Sequence, residues 1–205
     1  MHLHKILVLT LKLQVIIHIM VWIIMYLLLK MLQVLLDYNL ILPYSSAKFE
    51  NFGYTARQTN LIDWYPFIPP YRNGQWILPD PYAYGENLVY DKADFRVSLE
   101  FTDPANAPVV AASAEANLVQ GVLVYELPNA RNFTISASPE YLIGVADASG
   151  VKIYNYYFAG EYLAAGRVLE LTQKAVNTYI AEFGPYPHTI LSVCETHLND
   201  GLETD

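Results

Sequence analysis

Phe95-Arg96-Val97-Ser98-Leu99-Glu100-Phe101 alternates apolar and polar residues without a break, so Phe95, Val97, Leu99 and Phe101 share one side of an extended chain. A period of two marks a strand with one face buried and the other in water, which commits its surroundings to antiparallel sheet. Similar runs recur at residues 109–112, 119–127, 133–137 and 151–158, with a looser one at 37–42 before Pro43. Asp103-Pro104, Leu127-Pro128-Asn129 and Ala148-Ser149-Gly150 separate them; these residue types preset or tolerate turn dihedrals. Residues 37–159 therefore read as a mainly β domain, an antiparallel sandwich or a curved, saddle-like sheet. The aromatic composition, with 17 Tyr, 3 Trp and 12 Pro, suits β-structure and surfaces that take peptides or sugars.

The period changes after residue 160. Between Leu163 and Phe183, Val168, Ala175, Val176, Tyr179, Ile180 and Phe183 recur at helical spacing, with Arg167, Glu170, Gln173, Lys174 and Asn177 opposite. The spacing predicts an amphipathic helix. Gly184 and Pro185 end it, because glycine fits a left-handed cap and proline cannot continue the ladder. A strand over 188–194 follows. Residues 160–205 thus read as a separate unit that begins with a helix and a strand.

Residues 1–36 are of a third kind. They contain no Gly, Ala, Ser, Pro, Asn, Asp or Glu, and the stretch from Leu13 to Leu29 is interrupted only by Gln14 and His18. That length is at the short end of what spans a bilayer. Lys5 and Lys12 precede it, Lys30 follows, and no small-residue cleavage site comes after. An uncleaved hydrophobic anchor helix is one reading; residues 6–36 would then associate with a membrane and the β-domain would be extracytoplasmic. A buried hydrophobic helix and sequence not native to the protein are the others, since membrane helices ordinarily use Gly and Ala.

Charge and side-chain inventory exclude several chemistries. A net charge of -8, from Lys+Arg 12 and Asp+Glu 20, with no basic stripe, argues against a nucleic-acid partner. The single cysteine, Cys194, permits no intrachain disulfide, and in the apolar run 190–194 it reads as an inert buried thiol. His2, His4, His18, His188 and His197 show no spacing that would hold zinc, and no His-Glu-x-x-His is present. No metal or other cofactor is expected in this chain. Trp64, Tyr65, Tyr71 and Trp76, with Tyr82 and Tyr84, form an aromatic, proline-interleaved region. It reads either as a groove for an extended peptide or glycan, or as a loop packed over the sheet with its rings in the core.

Taken in order, several segments resemble peptidase family M1, the gluzincin zinc aminopeptidases. Trp64-Tyr65-Pro66 is similar to the family's Trp-Phe-Pro turn, and Ala93-Asp94-Phe95-Arg96-Val97-Ser98-Leu99 to the strand after it in the N-terminal β-domain. Ala130-Arg131-Asn132-Phe133 and Tyr156-Tyr157-Phe158 fall where that domain's closing strands would be. Phe183-Gly184-Pro185-Tyr186-Pro187 resembles the stretch ending the first helix of the thermolysin-like α+β catalytic domain. Gly201-Leu202-Glu203 resembles the start of the Gly-x-Met-Glu-Asn exopeptidase motif, with Leu202 for the usual Met and Thr204 for the usual Asn.

The resemblance covers residues 37–205 and implies a specific role. Glu203 would hold the free α-ammonium of a peptide substrate, with Gly201 and Leu202 beside it, by a charge-assisted hydrogen bond. It also implies a boundary: the His-Glu-x-x-His helix, the third zinc ligand and the oxyanion tyrosine of the family have no counterpart here. The expectation is a piece of a metallo-aminopeptidase, inactive alone. The alternative is a membrane-anchored, non-enzymatic β-sandwich that binds through its aromatic surface.

Overall fold

The computed structural model describes residues 36–44, 52–78, 90–197 and 204. Among them the chain is mainly β, with several antiparallel sheets and one α-helix. The elements in chain order are β1 (Gly53–Tyr54), β2 (Thr59–Leu61), β3 (Tyr71–Arg72), β4 (Gln75–Trp76), β5 (Ala93–Leu99), β6 (Val109–Ala112) and β7 (Ala116–Val119). They continue with β8 (Val122–Ala130), β9 (Ile135–Ser138), β10 (Tyr141–Ala148), β11 (Val151–Phe158), α1 (Tyr162–Phe183) and β12 (Ile190–Cys194). Strands pair in the orders β1-β2-β9-β6, β5-β8-β7 and β10-β11-β12, with β3-β4 as a separate hairpin.

Alternation assigns the faces of the first sheet. Thr59, Asn60 and Leu61 of β2 oppose Ala137, Ser136 and Ile135 of β9. Leu61 and Ile135 point to one side, into a core shared with Val97 and Leu99 of β5 and Tyr125 and Leu127 of β8. Asn60 and Ser136 point to the other. The first two sheets therefore face each other across one apolar layer, whose centre is Phe133, fully buried between the rings of Tyr125 and Phe95. Burying such a ring contributes about 1.5–3 kcal/mol.

The third sheet is built differently. Tyr141, Tyr156 and Phe158 turn toward Ala111 of β6, while Ala148, Val151 and Ile153 turn to α1 and meet its Val176, with Ala146, Leu169 and Ile180 alongside. The helix stops where the sequence says it should. Gly184 has φ 99, and its N–H reaches Ile180 O at 3.1 Å. Strand β12 then returns parallel to β11, so β11, α1 and β12 form a strand–helix–strand crossover. The sheet thus joins strands from both sides of residue 160.

Three expectations about elements change. The run 119–127 is a hairpin of β7 and β8 turning at Gln120 and Gly121, which have φ 51 and 85. The run 37–42 forms no strand; its neighbour Tyr44 makes an isolated bridge with Tyr54. Strand β10 occupies 141–148, a stretch whose pattern does not alternate. The helix, by contrast, matches its expected span to within a residue. No helix among the described residues is long and apolar enough to cross a membrane, and the segment 1–35 lies outside them.

The start of the first sheet depends on one close approach. Gly53 has φ 137, and a Cβ there would lie 2.6 Å from Pro43 O, the oxygen that accepts Tyr54 N–H at 2.9 Å. Gly53→Ala is expected to cost about 1–2 kcal/mol through strain and loss of that bond. Urea denaturation measures it; an unchanged midpoint would mean that residues 43–54 do not hold this contact.

Candidate functional site

Gly201, Leu202 and Glu203 lie outside the described residues, as do Tyr82, Tyr84, His2, His4 and His18. The chain is described as far as His197, and a buried polar cluster anchors that last segment. On the face of the first sheet turned away from the apolar core, Gln58, Asn60 and Ser136 are buried. Gln58 Nε2 donates to Ser136 Oγ at 3.0 Å and to the Tyr141 hydroxyl. Ser136 Oγ donates onward to Asn60 Oδ1 at 2.6 Å.

This cluster grips the chain as it leaves β12. Glu195 O accepts from Tyr141 OH at 2.9 Å and lies 3.1 Å from Gln58 Nε2, whose two hydrogens are shared among Ser136 Oγ, the Tyr141 hydroxyl and this carbonyl, while His197 N–H donates to Gln58 Oε1 at 2.8 Å. Glu195 N–H donates to Tyr156 O at 2.8 Å, and the Glu195 carboxylate accepts Phe158 N–H at 2.8 Å. Burial first, then the neighbouring Cys194, push the Tyr141 phenol above its ordinary pKa. It stays protonated and keeps its donor role. Buried polar groups satisfied in this reciprocal way fix one arrangement, because any other leaves a donor or acceptor unpaired.

Around the cluster, Arg57 closes the outer side. Its guanidinium meets Glu140 at 2.7 Å and lies over the Phe158 ring, 4.0 Å from the centroid. Ser138 Oγ donates to Arg57 O at 2.7 Å, which holds the Arg57–Gln58 backbone against β9. Neither Gln58 nor Tyr141 carries a sequence signal for this role. A glutamine is ordinarily a surface residue, and Tyr141 sits in a strand that alternation does not reveal.

The aromatic region divides. Trp64 and Tyr65 are buried, and both bind the same residue: Trp64 Nε1 donates to Phe133 O at 3.0 Å, and Phe133 N–H donates to Tyr65 OH at 3.2 Å. They are core, not surface. Tyr71 and Trp76 are exposed and meet edge to face at 4.9 Å across the hairpin of β3 and β4. The four rings do not make one surface.

No family model, curated protein or solved structure matches this chain. What the site can do is therefore read from its own chemistry. Among the described residues no three His, Cys, Asp or Glu side chains gather as a metal site. His188 packs edge to face on Tyr186, and His197 contributes its backbone N–H. Among the described residues neither His188 nor His197 joins two further His, Cys, Asp or Glu side chains.

Cys194 is partly buried, and burial pushes its thiol up to about 12. The thiolate is the nucleophile, so burial disfavours reaction of this thiol at neutral pH. Alkylation by iodoacetamide at pH 8 is expected to run at least about a hundredfold slower in the folded chain than in denaturant. Sampling the reaction by mass spectrometry checks this; equal rates would place Cys194 in solvent.

Proposed function

We propose that residues 37–205 are the leading part of a zinc aminopeptidase of the M1 kind, comprising a saddle-like β-sandwich and the first helix and strand of a thermolysin-like catalytic domain. Its share of the work is to recognise a peptide N-terminus; bond cleavage belongs to residues this chain does not supply. The observation that supports the reading best is the β11–α1–β12 crossover with the clamp of Gln58 and Tyr141 on its exit. An exopeptidase measures one residue from a chain end, so a carboxylate that holds the α-ammonium needs a rigid approach. The clamp holds the chain through His197, ahead of the segment bearing Glu203. The described residues do not fit zinc, and no step through the metal is assigned to them.

The purified full chain, with zinc added, is expected to release no chromophore from leucine p-nitroanilide above the uncatalysed blank. Turnover abolished by a chelator would overturn the division of labour. The exposed Tyr71–Trp76 hairpin favours a second reading, a non-enzymatic module that binds a peptide or glycan. Under that reading Trp76→Ala abolishes binding on an immobilised glycan or peptide array; unaltered binding would eliminate the hairpin as its surface.

A further inference from the structure

The face of the first sheet opposite Asn60 and Ser136 carries a second feature, which shares Arg57 and Gln58 with the cluster at one edge but does not depend on the reading above. There, at one end of the apolar layer, the sheets separate around a cavity of about 360 Å³. Its apolar lining includes Leu61, Leu99, Phe101, Pro108, Ile135 and Ala137. Leu61, Leu99 and Ile135 are core residues whose side chains also close the main core, so the cavity is a continuation of the interior that opens to solvent. A volume in this range accommodates a small organic ligand.

Two of its three charged lining residues are carboxylates. Glu100 and Asp103 are exposed lining residues on the loop after β5. Asp103 Oδ2 accepts from Asn106 Nδ2 at 2.7 Å, which orients that carboxylate without neutralising it. The one cationic lining residue, Arg57, is paired with Glu140 at 2.7 Å. An apolar pocket with two carboxylates at its edge, in a chain of net charge -8, repels anions and attracts cations. We infer that this cavity binds a small organic ammonium ion, its apolar body among Leu61, Phe101 and Ile135 and its charge toward Glu100 and Asp103.

Titration calorimetry on the full chain tests this with three ligands of similar shape: phenylpropylammonium, phenylpropanol and phenylpropanoate. The ammonium is expected to bind about tenfold tighter than the alcohol, and the carboxylate not at all. The double substitution Glu100→Gln and Asp103→Asn, both exposed, should remove the preference for the ammonium without unfolding the chain. Ala137→Phe should abolish binding of both ligands by filling the cavity. Amide shifts on ligand addition are expected at residues 55–59 and 99–103. Equal binding of all three ligands, a preference that survives the double substitution, or no binding at millimolar ligand would overturn the assignment.

Discussion

Phe133→Ala is expected to destabilise the chain by about 3–5 kcal/mol, enough to consume much or all of the folding free energy of an ordinary domain. Phe133 is fully buried, and four aromatic residues contact it. Tyr125 stands 5.7 Å away, edge to face, and Phe95 6.2 Å away, so the ring joins neighbours from the two strands β8 and β5. Its backbone, meanwhile, holds Trp64 and Tyr65. Truncation opens a cavity whose walls are held by paired strands and cannot close. Phe133→Leu keeps much of the volume and should cost about 1–2 kcal/mol. Urea denaturation followed by tryptophan fluorescence separates the two variants. A loss below about 1 kcal/mol for the alanine variant would contradict a core shared by the first two sheets.

Gln58→Leu should have a different signature, with a smaller global loss of about 2–3 kcal/mol and a sharp local one. The glutamine is replaced by a shorter, apolar side chain that offers no donor to Ser136 Oγ, Tyr141 OH or Glu195 O, and no acceptor to His197 N–H. Water cannot fully replace these partners, because Gln58 is only 3% exposed. The His197 amide should therefore lose its hydrogen-exchange protection, while the amides pairing β5 with β8 keep theirs relative to the new global stability. Tyr141→Phe removes one donor to Glu195 O and should produce a weaker version of the same pattern. Unaltered exchange at His197 in Gln58→Leu would show that the exit of β12 is held by something else.

What could be read from sequence follows the number of faces each segment buries. Phe95–Phe101 was legible because β5 keeps one face in water, and the span of α1 because of its helical spacing; its buried face was read only in part, since Val176 and Ile180 meet the sheet while Val168, Tyr179 and Phe183 are exposed and Leu169 packs instead. Strand β10 was hidden. Leu142, Gly144 and Ala146 share the side facing α1, Tyr141 lies on the other, and apolar residues on both sides erase the period of two. The hairpin of β7 and β8 was hidden by Gln120, which takes a left-handed conformation usually given to Asn or Gly. Residues 37–42 show the opposite failure, a loosely alternating pattern with no partner strand among the described residues. At the candidate site the sequence pointed to Glu203 and the aromatic cluster. Trp64 and Tyr65 proved to be core, since a ring's residue type does not say which way it faces. Gln58 and Tyr141 were missed because a hydrogen-bond cluster assembled from four separate segments leaves no local spacing.

The aminopeptidase reading rests on a parent polypeptide that carries the zinc ligands after the segment bearing Glu203. Sequencing the encoding DNA through and past the codon for Asp205, in all three frames, addresses it. The expected result is a His-Glu-x-x-His codon pattern within the next few hundred bases. Finding no such pattern in any frame over that distance would contradict the reading and leave a β-domain whose clamp on β12 serves another purpose.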